Sequence, residues 1–294
     1  MYTLTNPVRV AITLLALMLT FVSPNVVSAQ NTPAQTGYAN VNGLKMYYEM
    51  QGSGTPLVLL HGAFMNTGIA FGQMMPELSK KYKVIAVDLQ GHGRTADIDR
   101  PYAFESLADD VASLLKYLKI DNANILGYSL GGGVALQVAI RHPEMVKKLV
   151  IISAVYKFDG WYPETRAVFP TISAEAFAKT PIKTLYDSIA PDPKHFDQFI
   201  AKMRDFVSKP YDFGADKIKA IKSPALIILG DSDGVQPEHA AEMFRLLGGG
   251  QMGDLRGLPN SQLTIFPATT HVGIMMRPDR LLAVVPDFLD AQVH

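Results

Sequence analysis

The chain contains no cysteine. Disulfides, thiolate nucleophiles and cysteine-based metal sites are therefore excluded. It also lacks any excess of charge: 27 Lys and Arg balance 27 Asp and Glu, and no basic cluster exceeds three residues. Nucleic acid is thus not an expected partner. Helical metal spacings such as His-x-x-x-His and His-Glu-x-x-His are absent, so no metal is implied. Asp88-Leu89-Gln90-Gly91-His92 offers one carboxylate and one imidazole, too few for a site. Gly248-Gly249-Gly250 follows no strand and precedes no Gly-Lys-Ser, so it is not a phosphate loop. No cofactor is called for. What the chain does have is apolar mass. Hydrophobic residues make up 48% of 294 and charged residues 18%, enough to bury a substantial core.

The first residues read as a processing signal. Arg9 is followed by an apolar stretch from Val10 to Val22 and by the small-residue site Val27-Ser28-Ala29. The pattern predicts a signal peptide over 1–29, cut before Gln30, and an exported protein in the periplasm or medium. The alternative is an uncleaved membrane anchor, but the run is short for a span of ~20 residues, which favours cleavage and leaves no stable membrane insertion after it. Residues 30–37 are polar and read as a mobile tail, leaving a single domain over 38–294.

Beyond the tail, strand and helix patterns alternate. Tyr38 to Val41 and Leu44 to Met50 flank Asn42-Gly43, a hairpin signal. Short apolar runs at Leu57–Leu60, Lys83–Val87, Asn122–Leu126, Leu149–Ser153, Ala225–Leu229 and Leu263–Phe266 read as strands. Helical spacing marks Glu105–Leu118, Gly132–Arg141, Glu238–Leu247 and Arg280–Leu289. Such alternation implies a mostly parallel sheet with helices on both faces. From about 155 to 222 there is no clear buried strand. Aromatics and helical runs such as Lys194–Val207 occur instead. This stretch reads as a helical insertion, a lid over the sheet's C-terminal edge.

Gly127-Tyr128-Ser129-Leu130-Gly131 lies between a strand run and a helical one. Gly-x-Ser-x-Gly in that context is a nucleophile elbow. The tight turn strains the serine, and the flanking glycines avoid clashes with strand and helix. Ser129 is thereby presented at the positive end of the next helix.

With this elbow stand His61-Gly62-Ala63-Phe64, Asp88 to Thr95, Gly230-Asp231-Ser232-Asp233, and His271 ahead of Pro278. Together they resemble the α/β-hydrolase fold superfamily over nearly all of 38–289. The resemblance implies an eight-stranded sheet with its second strand antiparallel, and the chain order serine, acid, histidine. It implies Ser129 as nucleophile, His271 as base and Asp233 as the acid that orients the imidazole. Asp231 is the nearest rival acid, and Asp159 a remote one. Asp88 reads as a loop-holding residue. Among the other histidines, His61 and His92 read as structural, His142 and His239 as surface residues, and His195 as part of the lid; His294 is terminal.

The family also supplies two backbone donors for the oxyanion. By position these are Ala63 and Leu130, with Phe64 as the alternative if the loop is displaced by one residue. Phe64, Met65, Tyr128, Trp161, Tyr162 and Val272 are the candidate pocket residues, with Trp161 and Tyr162 expected to touch substrate and not the triad. Ser129 excludes relatives that use a nucleophilic aspartate. The expected activity is cleavage of a small-molecule carboxylic ester or lactone. C–C bond hydrolysis, amide cleavage and perhydrolysis use the same triad and stay open, as do a non-catalytic binding role and the oligomeric state.

Overall fold

The computed structural model describes residues 35–292. The expected signal segment and His294 lie outside these residues. In chain order the elements are β1 (Gln35–Val41), β2 (Leu44–Gln51), β3 (Thr55–Leu60), α1 (Thr67–Phe71), α2 (Met75–Leu78), β4 (Tyr82–Val87), α3 (Phe104–Tyr117), β5 (Ala123–Tyr128), α4 (Leu130–Arg141) and β6 (Val146–Ile152). The insertion follows, with α5 (Pro163–Val168), α6 (Ala174–Phe177), α7 (Pro181–Ile189), α8 (Phe196–Val207) and α9 (Ala215–Ala220). The chain closes with β7 (Ala225–Ser232), α10 (Pro237–Leu246), α11 (Gly253–Arg256), β8 (Gln262–Thr270) and α12 (Pro278–Asp290).

The eight strands form one sheet in the order β1-β2-β4-β3-β5-β6-β7-β8. β2 runs antiparallel to both neighbours, and the pairs from β4 to β8 are parallel. Asn42 and Gly43 both have positive φ (48° and 81°), as a two-residue hairpin turn that follows strand twist requires. The first strand begins at Gln35. Gln35, Thr36 and Gly37, expected in a mobile tail, pair instead with Met50, Glu49 and Tyr48.

Central strands are apolar on both faces because both faces are covered. On one side Val58, Leu60, Ile125 and Ile151 pack with Leu107, Val111 and Leu114 of α3 and with Val134 and Val138 of α4. On the other, Leu57, Leu59, Leu126 and Val150 pack with Phe71 of α1, Leu78 of α2 and Leu281, Val285 and Phe288 of α12. Each such side chain contributes roughly 1.5–3 kcal/mol by burial. The layers hold the C-terminal ends of β3, β5, β6, β7 and β8 along one edge of the sheet, where the candidate residues lie.

His239 departs from the expected surface position. It is only 4% exposed, and Gly160 approaches so closely that a Cβ there would lie 2.6 Å from the imidazole. Its ring stacks on Tyr156 at 4.7 Å, and Nε2 accepts the Tyr156 backbone N–H at 3.2 Å. Burial pushes its pKa down from 6.5 to about 4. Between these values the unfolded chain binds a proton that the folded chain does not. Stability therefore falls as pH drops from 6.5 towards 4, by up to about 1.4 kcal/mol per unit for this group. His92, pushed to about 3 mainly by burial, adds in the same direction. Melting temperature measured across this range should decline with acidification, and His239→Gln should flatten the decline. An unchanged slope in the variant would count against a neutral buried His239.

Candidate active site

The elbow is built by close approach. A Cβ on Gly127 would lie 2.1 Å from the Gly131 carbonyl oxygen, and one on Gly131 2.1 Å from the Leu60 carbonyl oxygen. No other residue fits at either position. Between them Ser129 has φ 52° and ψ −114°, a conformation that costs about 1–3 kcal/mol. Its N–H donates to the Ile152 carbonyl at 2.8 Å, and its carbonyl accepts from Gly132 at 2.9 Å and Gly133 at 3.2 Å. β6 and α4 thus hold the strained residue in place.

Three residues far apart in sequence meet there. Ser129 Oγ lies 3.1 Å from His271 Nε2, and His271 Nδ1 lies 2.8 Å from Asp233 Oδ1. A carboxylate at Nδ1 places the ring proton on that nitrogen, leaving Nε2 to accept from the serine. Tyr128 packs against the imidazole at 5.3 Å, and its hydroxyl donates to the His271 carbonyl at 3.0 Å.

Asp233 is buried and fully engaged. Oδ1 also accepts the Val235 N–H at 3.1 Å, and Oδ2 accepts the Ser153 hydroxyl at 2.5 Å and the Gly230 N–H at 3.4 Å. Burial alone would raise its pKa. The charge and hydrogen bond of His271, with Ser153 and Val235, outweigh burial and hold it below the ordinary carboxylate range. Ser153 was not anticipated as a partner. It directly follows β6 with φ 50°, as Ser129 directly follows β5.

The rival acids are committed elsewhere. Asp231 accepts the N–H groups of Ala268 (2.9 Å) and Thr269 (3.1 Å), which fixes the end of β8 that leads to His271. Asp159 is exposed and paired with Arg166. Asp88 accepts N–H groups from Thr67 and Arg94, each at 2.9 Å, and so holds two loops together. His61 Nε2 accepts the Leu89 N–H at 3.0 Å while Nδ1 donates to the Gly62 carbonyl at 2.8 Å, a wholly structural use of both nitrogens. His195 bonds Asp97, and His142 bonds Asp109.

Ala63 and Leu130 both line the space in front of Ser129, and among the described residues neither amide has a protein acceptor. A turn closed from the Met65 N–H to the Gly62 carbonyl carries Ala63. Phe64, its third residue, has φ 61°, where a type II turn needs positive φ. Its ring stacks on Phe177 at 5.3 Å, which couples this turn to the insertion.

A cavity of about 250 Å³ opens at the serine, with residues of the insertion from Trp161 to Tyr211 in its lining. Phe64, Met65, Tyr128, Trp161 and Val272 line it; Tyr162 does not. Tyr162 is 36% exposed, and its N–H is used by the Gly234 carbonyl. Sequence reasoning missed Phe104, Val168, Phe169, Phe177, Phe206 and Tyr211. Abundant aromatics signalled a greasy insertion, but no periodicity told which rings turn inward. Among the described residues lining the cavity, none is Lys, Arg, Asp or Glu.

Trp161 also corrects an expectation. Its ring meets His271 edge-on at 5.4 Å, so it touches the triad. An isolated bridge to Val235 and the Gln236 side chain on the Trp161 carbonyl (2.9 Å) pin it to the loop that carries Asp233.

Comparison with known proteins agrees with this fold. The model of the α/β-hydrolase fold family matches residues 55–278. The chain belongs to that family, and it is a hydrolase of it. The hydrolase YugF of Bacillus subtilis is 26% identical over 275 residues, covering 85% of this chain and 96% of that one. The human serine hydrolase BPHL is 26% identical over 271 residues, covering 89% of each chain. Among solved structures, Est816, described as an N-acyl homoserine lactone degrading enzyme, is 25% identical with a TM-score of 0.63, covering 87% of this chain and all of that one.

Proposed function

We propose that the protein is a serine hydrolase of uncharged carboxylic esters, lactones included. The observation that carries this reading is the continuous contact from Ser129 through His271 to Asp233, opening on a cavity with two unengaged amides. Ser129 attacks the carbonyl carbon while His271 Nε2 takes its proton. The oxyanion sits between the Ala63 and Leu130 amides. His271 returns the proton to the leaving alcohol, and water then attacks the acyl-enzyme through the same base. Asp233 keeps the imidazole in the required tautomer and stabilises its cation. A cavity without charged walls disfavours substrates carrying a carboxylate or ammonium group, which would be buried unpaired. The likeness to Est816 supports keeping lactones within the reading.

The test joins labelling to turnover. A fluorophosphonate should modify Ser129, and the protein should hydrolyse 4-nitrophenyl esters or lactones faster than aminoacyl amides. Folded protein that neither labels nor turns over any ester or lactone would end this reading. Because Trp161 packs on His271, Trp161→Ala should lower kcat for short and bulky acyl esters alike, by about 10-fold or more. A loss confined to bulky esters would restrict Trp161 to substrate contact.

Export belongs to the same proposal. The apolar stretch before Ala29 motivates it. N-terminal sequencing of the secreted or periplasmic protein should start at Gln30, whereas intact Met1 in a membrane fraction would mean an anchor.

A further inference from the structure

Four hydroxyl-bearing side chains line the cavity: Tyr128, Ser129, Thr165 and Tyr211. Three have committed their protons. Tyr128 donates to the His271 carbonyl at 3.0 Å, Ser129 faces His271 Nε2 at 3.1 Å, and Thr165 donates to the Gly234 carbonyl at 3.3 Å. Tyr211 has not. Its hydroxyl is hydrogen-bonded to the Trp161 side chain, whose indole can only donate, and among the described residues no acceptor takes its proton; its ring packs among those of Phe104 (4.8 Å), Phe213 (5.3 Å) and Phe158 (6.1 Å). Burial pushes the phenol up, and the neighbouring Trp161 side chain works against that rise only in part. The group therefore stays a proton donor at every working pH.

A cavity-facing hydroxyl that receives a hydrogen bond from Trp161 and has no protein acceptor for its own proton is a strengthened donor, available to a ligand oxygen. Alkyl chains would have been served by phenylalanine at this position, as the other walls show. We infer that Tyr211 is a specificity residue, donating its hydroxyl to an uncharged acceptor oxygen carried by the substrate away from the scissile ester. A ketone, ether, second ester or amide carbonyl fits. A carboxylate does not, because no cationic side chain among the described residues lines the cavity. Trp161, beside Tyr211 and against His271, places this recognition point next to the reacting centre. The preferred substrates are thus aliphatic or aromatic esters and lactones with one further neutral oxygen function.

This inference rests on the ester-hydrolase reading, and its test separates the two. The native protein and Tyr211→Phe are compared on matched pairs: 4-nitrophenyl pentanoate with 4-oxopentanoate, and hexanoate with 5-oxohexanoate. For at least one pair, the ratio of kcat/KM for the oxo ester to that for the alkyl ester should fall by about 10-fold in the variant, the loss of one hydrogen bond. Equal ratios in both proteins for both pairs overturn the assignment. The same pairs are then titrated calorimetrically into Ser129→Ala, which retains Tyr211. The oxo ester should bind several-fold tighter, and equal affinities overturn the assignment even if the variant at position 211 fails to fold. Binding preference without any turnover by native protein would leave Tyr211 as a recognition group and refute the hydrolase reading alone.

Discussion

Ser129→Ala should reduce turnover to the ~10³–10⁴-fold above water that substrate binding and an oxyanion site retain in other triad enzymes. The loss is this large because the variant has no atom to form the acyl-enzyme. The fold should persist. Alanine tolerates φ near 50° no worse than serine does, and the hydrogen bonds that hold the turn are made by its backbone. Fluorophosphonate labelling should vanish while the melting temperature moves little. Ester hydrolysis near the native rate in a folded variant would place the nucleophile elsewhere.

Asp233→Asn should cost up to ~10⁴ in turnover. An amide nitrogen facing Nδ1 favours the tautomer with its proton on Nε2, which then no longer accepts from Ser129. The developing imidazolium also loses its counter-charge. Four interactions now converge on the two carboxylate oxygens, so the side-chain position should be kept and the loss should appear in kcat. Asp231→Asn tests the neighbour. That carboxylate serves two backbone amides of β8 and does not approach the imidazole, so its replacement should cost far less. Steady-state kinetics of both variants decide the matter; a larger loss at Asp231 would reverse the roles.

The sheet could be read from the chain because both of its faces are covered, which writes each strand as a short apolar run. β6 shows where that signal fails. It starts at Val146, earlier than its apolar run suggests, because Lys147 and Lys148 interrupt the pattern. Lys148 is buried, and its Nζ donates to the carbonyls of Phe288 (2.8 Å), Leu289 (3.0 Å) and Ala291 (2.5 Å), closing the end of α12. Only tertiary structure reveals such a cap. Ser129, Asp233 and His271 stood out because each follows a strand within a recognisable local pattern. Ser153 carried no such mark: a serine at a strand end has many ordinary uses, and its bond to Asp233 spans 80 residues. His239 misled for a related reason, since it follows Glu238 in the polar first turn of α10 while Gly160 packs over the imidazole from another segment. In the insertion, helices of four to twelve residues are too short to fix an inward face from periodicity.

The uncharged walls of the cavity bear on how a catalytic cycle ends. Ester cleavage turns a neutral reactant into an acid, which ionises at neutral pH. Among the described residues lining the cavity none is Lys or Arg to hold that anion, and the carboxylate of Asp233 stands behind His271. Only the Ala63 and Leu130 amides and His271 are left to meet its charge. Under the proposed ester hydrolysis, the acid should therefore leave readily and inhibit weakly, without any moving part.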